Sequence, residues 1–511
     1  MTEQEARKSR RGGGRNRGEA TSNNDYPAYA KRNISYFNPY SQEQIDTIIS
    51  DAENLLEEIG IDFRDDAEVL EIWKKAGANV DGERVRFPKG MLRDLLKTAP
   101  AEFTQHARNP KRSVQIGGTN TVYVPAYGSP FVRDLENGRR YATIEDFQNF
   151  VKLAYMSPGM NHSGGTVCEP TDIAVNKRHL DMVYAHMKYS DKPFMGSVTA
   201  PERAQDTVDM CKILFGEEFV DNNCVVINLI NANSPMVFDD TMLGALKVYA
   251  KNNQACVVSP FILAGAMSPV TVVATLTQIV AEAMSGMALT QLVRKGAPVV
   301  FGTFASTTNL QTGAPSFGGP ESSLILYGAA QVARTLNIPF RSGGGLNAAK
   351  LPDAQAAYEA ANTLSTATNA GVNFMLHSAG WLEGGLVMSY EKFIMDAEQT
   401  EGHMKFLAGP DMSDNGKGKG SWQEVGVGQH FLGCTHTQEN FRSAFYNYSS
   451  SDSNSFEQWE SEGEKTLDVR ANERKNKMLA EYQAPEIDEG IDAKLLEFVK
   501  TKKDAVPDAN Y

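Results

Sequence analysis

The sequence predicts an α/β protein built on a TIM (β/α)8 barrel, with an N-terminal α+β cap and a C-terminal helical extension. Three observations carry that expectation. From about residue 143, short apolar runs alternate with amphipathic stretches of helical period in seven successive units. The runs are apolar at nearly every position, as suits strands with helices on one face and a packed interior on the other. No Gly-x-Gly-x-x-Gly follows a first strand, which favours a closed barrel over an open dinucleotide-binding sheet.

Residues 1–33 have no apolar periodicity and carry Arg7, Arg10, Arg11, Arg15 and Arg17 among glycines, so they read as a disordered basic tail. Residues 34–142 read as the cap. Ser41 and Gln44 make a capping box, and Ile45, Ile48, Ile49, Ala52, Leu55, Leu56 and Ile59 share one helical face up to Gly60. Further helices are expected at 66–76 and 88–97, and hairpin strands at 113–117, 121–125 and 131–133.

Residues 143–400 read as the barrel. Its strands are expected at 160–167, 193–198, 224–230, 255–263, 298–304, 338–341 and 372–378. The segment around Val122, or another hairpin, supplies the eighth. Helices alternate with these strands: Thr143 caps the first, and Ser268 caps a long one that Pro269 opens. Residues 401–511 read as the helical extension, with helices at 464–482 and 493–502 after a loop at 409–420.

Composition narrows the class of function. A chain of 511 residues with 41% hydrophobic content can bury a large core, and its net charge of −13 argues against nucleic-acid binding. No run of 18 uncharged apolar residues occurs, so no membrane-spanning helix is expected. The basic N-terminus lacks the apolar stretch of a secretory signal. Five cysteines, an odd number without metal-ligand spacing, fit the reducing cytoplasm. Large barrels commonly pair, so a homo-oligomer is expected.

Barrel enzymes place their chemistry where strands end, so candidate site residues can be named. The central stretch runs from Ile338 through Arg341 into Gly343, Gly344 and Gly345, where main chain can approach a ligand with no Cβ in the way. Arg341 suits an anion, against a structural ion pair as the plainer reading. His377, beside Ser378 and Trp381, is as easily a satisfied core histidine as a catalytic one. Glu169, before Pro170, is a second catalytic candidate, or simply a residue at a helix start. Asn231 ends another strand. Tyr127, Phe304 and Trp381 are individually packing residues, but on one barrel face they would box a quaternary ammonium by cation–π attraction. No metal-spaced His/Cys/Asp set, strand-end lysine or carboxylate pair stands among the strand ends, so the protein reads as one that positions its substrate. Two other readings stay open: a barrel enzyme gripping a phosphorylated small molecule at the glycines, and a non-catalytic protein that only binds a quaternary ammonium compound.

From about Tyr36 to Tyr482 the sequence resembles the trimethylamine methyltransferase family, in its branch without pyrrolysine. The residues carrying the resemblance are 264–271, 296–298, 318–321 and above all 342–355, with His430 to Leu432 and His436-Thr437 behind them. The resemblance implies a pyrrolysine position at Gly345 in the archaeal members. Glycine there removes the imine thought to capture a tertiary amine, which points to a substrate already quaternary: glycine betaine or a related betaine. It further implies that Arg341 or the amides of Gly343–Gly345 meet the carboxylate, and that His377 orients substrate or touches the corrinoid. The methyl acceptor would be cobalt(I) of a separate corrinoid protein, with no cofactor bound by this chain itself.

Overall fold

A computed structural model describes residues 26–509. Its centre is a curled sheet of seven parallel strands: β1 (Asn120–Tyr123), β2 (Phe194–Met195), β3 (Val226–Ala232), β4 (Ala255–Ala264), β5 (Val299–Gly302), β6 (Phe340–Gly343) and β7 (Phe374–Leu376). From β2 to β7 each strand pairs with the next in sequence, and β7 then pairs with β1. Six of these were expected as barrel strands, and β1 is the expected Val122 segment.

The expected strand at 160–167 does not form. Its hydrogen bonds are irregular: Asn161 N donates to Tyr123 O (3.0 Å), but the Asn161 side chain accepts from Tyr123 N (3.0 Å), where a ladder would use main chain. Gly164, at φ +92°, turns the segment out of extended geometry. The segment nevertheless lies between β1 and β2, since Met195 N donates to Gly164 O (2.8 Å) and Ser163 N to Pro193 O (2.8 Å).

Alternation along the strands separates two cores. Val122, Ile227, Leu229, Val257, Val300, Phe374 and Leu376 pack with one another inside the curl, joined by Val114 and Ile116 from the N-terminal hairpin. The alternate residues, among them Val226, Ile230, Cys256, Val258, Phe301, Phe340 and Met375, pack outward against the helices. A period of two with both faces apolar gives this arrangement directly.

The capping boxes at Ser41 and Thr143 form as expected, but the long helix does not start where Ser268 and Pro269 suggested. It runs Val272–Val293 behind Thr271, and Ser268 Oγ instead pairs with Thr275 Oγ1 (2.8 Å). This helix is long and apolar enough to cross a membrane, yet 78% of its apolar window is buried inside the protein. It crosses the back of the sheet and packs on helices Gln42–Glu58, Met91–Leu96 and Pro320–Thr335. All five cysteines are free and buried. The basic run before Tyr26 lies outside the described residues. Residues 30–33, placed in a disordered tail from sequence, are ordered: Ala30–Lys31 pairs antiparallel with β1, and the Arg32 guanidinium donates to Thr368 O.

Candidate active site

Register brings the site together at the C-terminal ends of the strands. Asn231 on β3 is level with Ser259 on β4, and Gly302 on β5 with Arg341 on β6. In parallel strands, level residues point to the same face, and here that face is the inside of the curl. Gly302 is what makes room: a Cβ there would sit 2.7 Å from that of Ser259. The Arg341 side chain therefore crosses to Ser259, lying above Leu229, Val257, Val300 and the other inward apolar residues.

Arg341 is 1% exposed. Its Nη1 donates to Ser259 Oγ (2.9 Å) and Thr303 O (3.1 Å), and its Nη2 to His377 Nδ1 (3.3 Å). Nε, also buried, has no partner. Burial lowers the guanidinium from its ordinary value to about 9, opposed by the Tyr127 hydroxyl and by no carboxylate. A buried cation with a free donor and no acid beside it is costly unless an anion completes it.

His377 follows β7 with φ +61° and is almost wholly buried. Because Nδ1 accepts from Arg341, the ring proton belongs on Nε2. Burial, and then the Arg341 charge, hold the imidazole well below its ordinary value, so it is neutral at physiological pH.

Aromatic rings adjoin this pair. Trp381 lies edge-on to His377 with centroids 4.5 Å apart, and Phe304 meets His377 at 5.4 Å and Trp381 at 5.7 Å. Phe317 closes on Phe304 and Trp381, while Phe261 stacks on Phe304 at 5.2 Å and stays 40% exposed toward solvent. Tyr127 packs against the apolar residues inside the curl, and its hydroxyl is near enough to Arg341 to feel its charge. Trp381 is fixed from behind: its Nε1 donates to Asn347 O (3.1 Å), and Asn347 Nδ2 donates back to Trp381 O.

The sequence-derived candidates thus divide. Arg341, His377, Phe304, Trp381 and Tyr127 converge, and Asn231 is exposed at the mouth, level with Ser259. Glu169 does not join them: its carboxylate is paired with Arg178 (2.8 Å). The glycines differ from the sequence expectation. Gly344 N donates to Leu376 O (2.9 Å) and Gly345 N to His377 O (2.8 Å), so neither amide is free for a carboxylate or phosphate. What requires glycine is packing, since a Cβ at Gly344 would stand 2.8 Å from Ser378 Oγ and 3.0 Å from Ser378 Cα. Two residues were missed. Ser259 reads as one polar letter in an apolar strand, with only its inward alternation as a signal. Asn347 sits in the glycine stretch itself, but its pairing with Trp381 is not local.

Residues 7–507 match the family described as trimethylamine methyltransferase (MTTB). The chain belongs to that family. Within it, the chain is 41% identical to a glycine betaine methyltransferase from Desulfitobacterium hafniense (strain Y51), over 91% of this chain and 96% of that protein. It is 29% identical to a proline betaine:corrinoid methyltransferase from Eubacterium limosum, over 70% and 76% of the two chains. Identity falls to 25% for the trimethylamine methyltransferase of D. hafniense (strain DSM 10664 / DCB-2), over 91% and 94%. Among solved structures, the monomethylamine methyltransferase of Methanosarcina barkeri superposes with a TM-score of 0.51 at 12% identity, covering 87% of this chain and 88% of that one. The α/β fold of this chain is therefore similar to that of the monomethylamine methyltransferase at low sequence identity.

Proposed function

We propose that the protein transfers a methyl group from glycine betaine, or a betaine of similar size, to cobalt(I) of a separate corrinoid protein. The observation that carries this reading is the buried Arg341, with a free Nε and no acid partner, set against His377, Phe304 and Trp381. A betaine has both complements: a carboxylate for the guanidinium and a trimethylammonium for the rings. The names of the two betaine-specific relatives support the same substrate class.

The chemistry asks little of the protein's acids and bases. The substrate nitrogen already bears its positive charge, so the carbon–nitrogen bond breaks with its electron pair going to nitrogen, and a neutral tertiary amine leaves without protonation. The corrinoid supplies the nucleophile, with an electron pair that forms the new bond to the methyl carbon. This chain's residues bind and orient. Arg341 fixes the carboxylate end, and neutral His377, accepting from Nη2, holds the guanidinium in place. Phe304, Trp381 and Tyr127 surround the ammonium and keep water from the methyl. Asn231 and Phe261, at the open side, border the approach of the acceptor.

In the same reading the sheet closes into an eight-membered barrel through residues 160–167, supported by the hydrogen bonds of that segment to Tyr123, Pro193 and Met195. The cap then ends near residue 142 and the helical extension begins near 401, and the protein works in the cytoplasm, where its thiols stay reduced. The test is to mix the enzyme, glycine betaine and reduced corrinoid protein, following loss of the cobalt(I) spectrum and formation of dimethylglycine by mass. Equimolar methylated corrinoid and dimethylglycine is the expected result. No demethylated product, or equal rates with trimethylamine, would sink the proposal.

A further inference from the structure

Residues 346–349 follow the triple glycine and run beside the turn that carries the indole of Trp381. The Trp381 Nε1–H donates to Asn347 O (3.1 Å), which also accepts from Gly384 N (3.0 Å), and Ala349 O accepts from Glu383 N (2.9 Å). The segment is itself held to helix Ala354–Ala370. Glu359 Oε2 accepts from Ala348 N (2.6 Å), and Thr363 Oγ1 donates to Leu346 O (3.2 Å). At the other edge of the indole, a Cβ on Gly385 would collide with Cη2. The ring is thus fixed at its pyrrole edge by a hydrogen bond and at its benzo edge by contact.

Asn347 is the residue of this segment whose side chain is given over to that task. It is fully buried; its Nδ2 donates to Trp381 O, and its Oδ1 has no partner among the described residues. A buried acceptor without a donor is costly, and an apolar residue of similar shape would carry no such cost. Burial alone therefore does not account for an amide here, whereas its grip on the Trp381 main chain does. That grip acts through geometry. Attraction between a cation and an indole requires the charge over the ring face, so it depends on where the ring is held. The indole of Trp381 meets His377 (centroids 4.5 Å), Phe304 (5.7 Å) and Phe317 (6.1 Å), so its placement also sets the width of the aromatic box. Substrate and product of the proposed transfer share a carboxylate for Arg341 and differ by one methyl at nitrogen. Walls held rigid lose contact where a methyl is missing, because they do not follow it. Walls free to move would close on either molecule.

We propose that Asn347 is a positioning residue which, by holding Trp381, lets the site distinguish a trimethylammonium substrate from its dimethylated product. The inference rests on the betaine reading above. The test is calorimetric titration with glycine betaine and with dimethylglycine, on the wild type, Asn347→Asp (same size, no donor toward Trp381 O) and Asn347→Ala. Each is measured with Trp381 present and in a Trp381→Leu background. The wild type should prefer glycine betaine by about 10-fold or more, the discrimination available from one methyl. Either variant should cut that preference by about threefold or more, chiefly by weakening betaine, and should do nothing further once Trp381 is leucine. An unchanged preference, or an equal loss in the Trp381→Leu background, would overturn the inference and leave the betaine reading standing. A wild type that binds neither ligand would overturn both. Hydrogen exchange on the full chain needs no Asn347 variant: the Trp381 Nε1–H, identified by its loss in Trp381→Leu, should exchange far more slowly than that of Trp422, which is 69% exposed. Equal exchange would overturn the clamp.

Discussion

Replacing Arg341 with methionine separates the site's two costs. Each charge-assisted hydrogen bond to a buried carboxylate has a net value of about 1.5–3 kcal/mol, and truncating one partner of such a pair costs about 2–5 kcal/mol. A loss near 3 kcal/mol is expected, which weakens glycine betaine binding by about 150-fold. The free protein should respond oppositely. Burial depresses Arg341 to about 9, and each unit of depression is about 1.4 kcal/mol of disfavour for the charged form. That penalty is fully present below pH 9 and fades as pH rises from there toward the ordinary value, so at neutral pH the empty site carries it in full. Methionine removes it, at the loss of the bonds to Ser259, Thr303 and His377. The ligand-free melting temperature should therefore hold or rise while betaine affinity collapses. Calorimetric titration with glycine betaine and with choline, which lacks the carboxylate, makes the comparison sharp. The wild type should prefer the betaine strongly and the variant should not discriminate. A betaine affinity within threefold of wild type, or equal weakening toward both ligands, would refute the assignment of Arg341 to the carboxylate.

Other consequences are smaller but independent. Trp381→Leu keeps an apolar wall and removes the best cation–π face, so affinity for any trimethylammonium ligand should fall about 3- to 30-fold by titration, with choline and betaine affected alike. Gly344→Ala forces a methyl into Ser378 and should lower unfolding free energy by about 1–3 kcal/mol in urea; a neutral result would mean that strand β7 yields more easily than its packing indicates. His162, His186 and His377 are all held below their ordinary value by burial, so the unfolded chain binds their protons first. Stability from this source is complete above about pH 6.5 and is lost as pH falls, by up to about 4 kcal/mol per pH unit for three protons. Melting temperatures from pH 8 to pH 5 should show that decline, and a His377→Gln variant should flatten it by roughly one proton.

What was legible in the sequence follows from range. Alternation of apolar runs and amphipathic helices is a local signal, and it located β2 to β7 and most of their helices. Residues 160–167 failed because the segment is apolar only at Met160 and Val167, and its letters show neither that Asn161 replaces a main-chain bond nor that Gly164 turns. The aromatics could be named, since strand ends are local, but their meeting over His377 could not. The glycines show the limit most clearly. Three in a row announce a close approach, but not of what: the structure sets Gly344 against Ser378, and the closeness of that loop to β7 is what lets Asn347 grip Trp381. Register decides the rest. Arg341 lies inside the curl because it is level with Gly302, whose missing side chain leaves the path to Ser259 open. A slip of one residue in β6 would turn that guanidinium out among the helices and bring Phe340 or Ser342 inward. The cation on which the proposed chemistry depends is thus positioned by a strand pairing, and a bulky residue at Gly302 should abolish betaine binding without replacing any group that contacts the ligand.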